Sequence, residues 1–126
     1  MTPLLVFLGA GIGGVARYGI GRLIPSTVPA IPWATLFVNV SGSVLIMVII
    51  AAAQAKGVSA AWQAFLTIGI CGGYTTFSAF SAETLVLMQT GHWSRAMLYA
   101  VGSVALCLLA AFVGLRLGAV AFVRTA

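Results

Sequence analysis

The sequence predicts an all-α integral membrane protein whose four transmembrane helices form a single domain, residues 1–126. Composition is the first reason: 62% of the residues are hydrophobic, 6% are charged and the mean hydropathy is +1.17. A typical soluble domain carries about 25% charged residues. The second reason is length, because four apolar stretches each provide the roughly 20 residues that cross a bilayer core. The predicted spans are residues 3–23, 33–55, 60–88 and 95–122.

The charged residues argue against two functional classes. Six Lys and Arg residues and one acidic residue give a net charge of +5. The basic residues stand singly, as expected beside anionic lipid headgroups and not along a nucleic acid. With no Asp, one Glu and one His, a subunit cannot assemble an acid–base pair or a metal-ligand cluster, so we do not expect an enzyme.

The first span is rich in small residues. Met1–Pro3 lacks the basic start of a signal peptide and no cleavage site follows, so we expect this segment to remain as a helix. Gly9 and Gly13 form a GxxxG motif, which permits close approach of a second helix. Arg17 lies near the end of the span, with Arg22 about one turn later. Arg17 either extends to the interface or occupies a buried or vestibule position.

The second span contains one strongly polar outlier. Trp33 is placed as an interfacial aromatic residue, and Asn39 follows inside the span with Ser41 and Ser43 beside it. An amide in hydrocarbon is costly unless it has a hydrogen-bond partner. Asn39 therefore either bonds to a neighbouring helix or faces a polar pathway.

The third stretch is too long for one straight span. Its roughly 29 residues would reach about 43 Å as a helix, against a hydrocarbon core of about 30 Å. A break at the glycine cluster Gly69–Gly73 is the simpler solution, and the alternative is a tilted continuous helix with glycines used for packing. A break frees backbone groups, whose partners can be a bound cation or a water-filled cavity.

The fourth span carries polar residues on one stripe. Trp93 anchors its start, and Tyr99, Ser103 and Cys107 recur at a spacing of four residues, which places them on one helical face. Neither Cys107 nor Cys71 belongs to a CxxC pattern, and both are interpreted as small packing residues. We expect no ligand role for the loop residue His92.

The basic residues predict no single orientation in the membrane. Four spans place three basic residues near each face, so the positive-inside rule permits both insertions. Four helices leave little room for a closed pathway, and an antiparallel homodimer is the natural assembly. The two groups are Lys56, Arg116 and Arg124 on one face and Arg17, Arg22 and Arg95 on the other.

The chain resembles the CrcB/Fluc family of small fluoride channels. The resemblance rests on Gly72–Glu83, which is similar to the family segment GGxTTFSTFSxE with Ala79 in place of a common Thr. Residues 13–18 and 35–42 and Ser103 support it, and it covers essentially the whole chain. It implies a dual-topology antiparallel homodimer in a bacterial inner membrane. By the same resemblance, such a dimer would passively export cytoplasmic fluoride through two pathways and would hold a structural sodium ion at its centre.

The resemblance also implies roles for individual residues. Phe77 and Phe80 would line the pores, Asn39 would supply a pore-lining amide, and Arg17 would lie in the vestibule. Cys107 stands where a second pore-side serine is common, and a thiol is a weaker hydrogen-bond donor than a hydroxyl. The remaining implied pathway residues are Thr76, Ser78, Ser81, Tyr99 and Ser103, and the implied sodium ligands are the backbone carbonyls of Gly72 and Thr75.

Two other functions compete with the channel. A small proton-coupled multidrug exporter of hydrophobic cations would share the size and pairing, but such exporters carry a glutamate in the first span. Here the only acidic residue is Glu83 in the third span, for which we favour a structural role over proton coupling. The third possibility is an assembly subunit whose glycines and hydroxyls serve helix packing alone.

Overall fold

A computed structural model describes residues 1–123, and helices are the only regular structure among them. Arg124, one of the residues in the charge balance, lies outside the described part of the chain. Two long helices come first, α1 (Thr2–Leu23) and α2 (Trp33–Lys56). Helix α3 begins as Ala60–Ala64, widens into the π-helix Phe65–Cys71 and ends as Gly72–Tyr74. The last helices are α4 (Phe77–Gln89) and α5 (Trp93–Gly118), which a π-helical segment, Ala119–Val123, continues.

Within residues 1–123, three helices are long and apolar enough to cross a membrane by length and composition. They are Thr2–Leu23, Trp33–Lys56 and Trp93–Phe122, with mean hydropathies of 1.5, 2.4 and 2.3. The predicted span 60–88 is not among them because it is divided between α3 and α4. The 13 residues of α4 make a helix of about 20 Å, which is too short to cross a bilayer core alone.

The interruption of the third span lies after the glycine cluster. The expectation that the helix opens at Gly69–Gly73 is wrong in position, because these residues are helical. The two residues without helical geometry are Thr75 (φ −84°, ψ 158°) and Thr76 (φ −152°, ψ 118°). The physical reason is that the glycines are used for close packing, whereas a threonine hydroxyl can cap the next helix.

Helix α1 packs against α3 through glycines on both sides. Gly9 and Gly13 are the buried residues of α1. A methyl group on Gly9 would lie 2.6 Å from the carbonyl oxygen of Phe65 and 3.0 Å from Cα of Gly69. On Gly13 it would overlap the backbone of Ile70 and Tyr74. The predicted GxxxG approach is therefore confirmed, and it brings two backbones into direct contact.

Helix α2 packs along α5, and the end of α4 closes against both. Gly114 of α5 is buried against the backbone of Val44. Leu87 of α4 and Tyr99 of α5 form a buried cluster that Phe80 and Leu36 extend. Because α2, α4 and α5 meet here, the polar side chains of α2 and α5 lie beside the interruption.

The connection between α1 and α2 is held to the start of α5. Arg95 donates a hydrogen bond from Nη1 to the carbonyl of Pro29 at 2.8 Å. At the other end of the molecule, the ammonium of Lys56 lies 5.5 Å from the ring centre of Phe122. These contacts place Arg95 and Lys56 at opposite ends of the helices, as the charge pattern predicts.

Replacing Gly13 by Ala is expected to destabilise the fold, because the added methyl group overlaps backbone atoms of α3 that cannot rotate away. We expect a loss of about 1–3 kcal/mol in the free energy of unfolding, the usual cost of overpacking. The measurement is an unfolding titration in mixed micelles followed by circular dichroism. Gly11→Ala is the matched control, since nothing lies within 4 Å of its added methyl group. Equal stability of the two variants would contradict this account of the contact.

Candidate functional site

Asn39 holds the interruption of the third span together. Its Oδ1 accepts a hydrogen bond from the backbone N–H of Thr76 at 2.8 Å, and its Nδ2 donates to the Thr76 carbonyl at 3.0 Å. One side-chain amide thereby satisfies both backbone groups of a residue that has left the helix, and we call this pair of hydrogen bonds the clasp. Thr76 then caps α4, since its Oγ1 accepts from the N–H of Ala79 at 3.1 Å. Asn39 therefore bonds to a neighbouring part of the fold, which was one of its two predicted alternatives, and its partner is the backbone of the polar segment.

The interruption also changes the donors to carbonyls at the end of α3. In an unbroken helix the N–H of Thr76 would donate to the carbonyl of Gly72, four residues earlier. Here it donates to Asn39 instead. The carbonyl of Gly73 accepts a hydrogen bond from Nε of Arg17 at 3.2 Å. The backbone oxygens of Gly72 and Gly73 are therefore open to groups outside the helix.

The sequence left two positions open for Arg17, at the membrane interface or in a buried or vestibule site, and the observed contacts agree with the second. It is half-buried, and its guanidinium reaches the carbonyl of Gly73 at the end of α3. Arg17 and Arg22 line a polar cavity of about 580 Å³, which we call the arginine chamber. Thr35, Thr76 and Glu83 are also among its lining residues. With two arginines and one glutamate among its lining residues, the chamber carries a net positive charge, and through Thr76 it reaches the interruption.

A second cavity, which we call the main groove, also borders Thr76. It has a volume of about 430 Å³, and Thr76 lines both cavities. The main groove brings together most of the residues for which the resemblance implies a role. Those residues are Asn39, Gly72, Thr75, Thr76, Phe77, Phe80, Ser103 and Cys107.

Ser103 is the unusual member of the main groove. The residue is only 5% exposed, and its Oγ has no hydrogen-bond partner within the part of the chain that the structure describes. A buried hydroxyl without a partner costs about 1–3 kcal/mol. Such a group needs an explanation, and a ligand that enters the groove is the simplest one.

The two phenylalanines differ in their surroundings. Phe77 is 76% exposed, whereas Phe80 is half-buried. Their ring centres are 5.3 Å apart, and Phe80 lies at the same distance from the ring of Tyr99. Phe80 is therefore fixed between two aromatic neighbours, while Phe77 presents its ring to the open side of the groove.

Glu83 is bound by two hydroxyl groups. Thr35 donates from Oγ1 to Oε1 at 2.7 Å, and Tyr99 donates from its OH to Oε2 at 2.7 Å. Among residues 1–123, no basic side chain forms an ion pair with this carboxylate. Tyr99 is buried behind Phe80 and does not line the main groove. The contact of Thr35 is not predictable from the sequence, because its spacing within α2 carries no signal of a partner 48 residues away.

Two other implied pathway residues lie outside the main groove. The hydroxyl of Ser81 donates to the carbonyl of Phe77 in its own helix at 2.8 Å. Ser78 and Thr76 share a hydrogen bond of 3.1 Å between their hydroxyl groups. Both serines are exposed. Each already has a local partner, so neither resembles the unpartnered hydroxyl of Ser103.

Comparison with known proteins finds one family model and several relatives that match most of the chain. The family described as CrcB-like protein, Camphor Resistance (CrcB), matches residues 4–115. The chain is 47% identical over 118 residues to the fluoride-specific ion channel FluC of Paramagnetospirillum magneticum, covering 90% of this chain and 92% of the relative. It is 47% identical over 116 residues to a protein of the same name from Thermus thermophilus, covering 91% and 93%.

A third relative has the same name. The fluoride-specific ion channel FluC of Coxiella burnetii strain Dugway is 45% identical over 121 residues, which cover 94% of this chain and 98% of the relative. These three matches each span at least 90% of both chains. The interruption and both cavities therefore fall within the matched region.

Asn39→Ala is expected to destabilise the protein strongly. The variant leaves the N–H and the carbonyl of Thr76 without partners, at about 1–3 kcal/mol for each group. The same unfolding titration in micelles measures the change. Ser43→Ala is the control, because the Ser43 hydroxyl donates only to the carbonyl of Asn39 within α2, and we expect a change within about 0.5 kcal/mol. A loss for Asn39→Ala no larger than that of the control would contradict the clasp.

Proposed function

The chain belongs to the CrcB family, and on that premise we propose that it is a fluoride-selective ion channel through which fluoride leaves the cytoplasm passively. As a multi-pass bacterial membrane protein related to ion channels, it is assigned to transport and not to catalysis. The observation that carries the proposal is the main groove, where Asn39, Phe80 and the unpartnered hydroxyl of Ser103 meet.

The chemistry of the main groove suits a small, strongly hydrated anion. Such an ion gives up its water only if the pathway supplies hydrogen-bond donors. The Ser103 hydroxyl has no partner among the described residues. The Asn39 amide carries two N–H groups, of which the bond to Thr76 uses one. The edges of Phe77 and Phe80 add positive quadrupole character. Narrow spacing of these groups would disfavour the larger chloride ion.

The arginine chamber supports the same proposal at the entrance. Arg17 and Arg22 give it a positive potential that raises the local concentration of anions. Thr76 separates the chamber from the main groove and lines both. We propose that fluoride enters beside Arg17 and passes the interruption into the main groove.

The main groove has an exposed side, and we infer that a second copy of the chain covers it. Gly72 and Phe77 are exposed there, and polar backbone cannot face hydrocarbon without a partner. The described basic residues lie at both ends of the helices, so an antiparallel copy has no charge penalty. We infer an antiparallel, dual-topology homodimer in which each copy closes the groove of the other.

We also infer a structural sodium ion at the centre of this dimer. The residues that would hold it are Gly72 and Thr75, through their backbone carbonyls, and both line the main groove. They fit the role because the clasp removes the usual helical donor from the Gly72 carbonyl. Carbonyl oxygens are suitable ligands for a hard cation. When bound, the ion would neutralise these dipoles and join the two subunits.

Nothing favours the exporter alternative. The relatives are named as fluoride channels, and the carboxylate of Glu83 is held by two hydroxyl donors. This arrangement agrees with a structural role for Glu83. Thr35 and Tyr99 both donate to this carboxylate, which links α2, α4 and α5 where they meet.

Purified protein in liposomes is expected to release fluoride and to exclude chloride, as read with ion-selective electrodes. Phe80→Ile should lower the fluoride rate by at least about tenfold, equivalent to about 1.4 kcal/mol in the barrier. Phe112→Ile is the matched control, because Phe112 is exposed on α5 and contacts Arg116 outside the groove.

Gel filtration verifies that each variant remains assembled. If Phe80→Ile does not assemble, Ser103→Ala serves as a second probe of the pathway. Absence of fluoride release from assembled wild-type protein would overturn the channel proposal. Equal rates for the Phe80 and Phe112 variants would overturn the placement of Phe80 on the pathway.

Removal of sodium is expected to weaken the dimer. An ion present at a hundred times its dissociation constant stabilises the form that binds it by about 2.7 kcal/mol. The fraction of dimer at fixed protein concentration can be measured by single-molecule photobleaching in sodium and in N-methyl-D-glucamine of equal ionic strength. A dimer fraction that does not change would contradict the sodium site.

A further inference from the structure

The chain places two free thiols on the main groove. Cys71 and Cys107 both line it and neither forms a disulfide. Their accessibility differs, because Cys71 is only 1% exposed whereas Cys107 is half-buried. The channel proposal uses neither thiol. A thiol on the wall of this groove can bind ligands of its own.

The surroundings of Cys107 point to a ligand. Cys107 follows Ser103 by one helical turn on α5, so both side chains lie on one stripe. The Ser103 hydroxyl is buried and without a partner among the described residues. The neighbouring lining residues Val104 and Leu108 are apolar. Beside Cys107 a cation that prefers sulfur would meet a soft ligand and the free oxygen of Ser103, whereas the harder oxygen ligands elsewhere in the groove bind such a cation weakly.

We propose that Cys107 is a binding site for soft monovalent metal cations, and that a cation bound there blocks the main groove. The proposal rests on the channel function inferred above. In the binding step the cysteine S–H bond breaks, a sulfur–metal bond forms, and the proton leaves to water. The thiolate is the metal ligand. A hydroxyl at this position would not lose its proton to such a cation, so the sensitivity belongs to the cysteine.

Cys71 provides an internal comparison within the same groove. It lies on the π-helical part of α3, and its side chain is enclosed by protein. A cation that enters the groove reaches Cys107 first, because only that thiol is partly exposed. Cys107→Ser and Cys71→Ser are therefore matched variants with the same chemical change at two depths.

Silver(I) is the probe, used in fluoride and nitrate solutions without chloride because silver chloride precipitates. Fluoride release from liposomes is measured before and after silver is added, and each variant is compared with its own initial rate. Wild type and Cys71→Ser are expected to lose most of their rate and to regain it with excess free cysteine. Cys107→Ser should need at least about tenfold more silver, because an alcohol is a poor ligand for a soft metal.

A second measurement separates this proposal from the channel function. Silver retained by the purified protein after gel filtration is determined by elemental analysis, with no transport involved. Retention by wild type and Cys71→Ser but not by Cys107→Ser supports the site even if no fluoride is released. Equal retention in Cys107→Ser, or retention lost only in Cys71→Ser, overturns it. A block that persists in Cys107→Ser overturns the assignment of the block to this thiol.

Discussion

Two hydrogen bonds between Asn39 and the backbone of Thr76 allow a membrane helix to stop and restart without leaving that backbone unpartnered. Every backbone N–H and carbonyl inside a bilayer needs a partner, and unpartnered groups cost several kcal/mol. By meeting this requirement from a different helix, Asn39 frees Thr76 to cap α4 and turns the third span into two short helices. Both cavities then meet at the residue that it holds.

The glycines and the clasp act together. Gly9 and Gly13 bring the backbone of α1 into contact with α3, and this approach carries Arg17 to the carbonyl of Gly73. A wider spacing of the two helices would leave that guanidinium far from the interruption. The close packing of α1 on α3 thus places the guanidinium of Arg17 beside the interruption. The Asn39 amide holds Thr76 there, at the edge of the main groove.

The polar side chains of the site divide by whether the fold satisfies them. Ser81 bonds to its own helix, and Thr35 and Tyr99 share the carboxylate of Glu83. Ser103 alone is both buried and without a partner among the side chains that the structure describes. Local pattern cannot reveal this difference, because a serine on a helical stripe has the same spacing in either case. It depends on which residues of α2 and α4 lie opposite.

The sequence by itself determined an all-helical membrane protein, the approximate bounds of the long helices and the use of the GxxxG motif, because hydropathy and residue size act locally. It also singled out the segment from Gly72 to Glu83, within which the interruption lies. Only the tertiary structure decided that the interruption lies at Thr75 and Thr76, since its position depends on which residue Asn39 can reach. The same holds for Arg17, whose interior position follows from how closely α1 approaches α3. Contacts between residues far apart in the chain are set by helix packing, which no single stretch of sequence encodes.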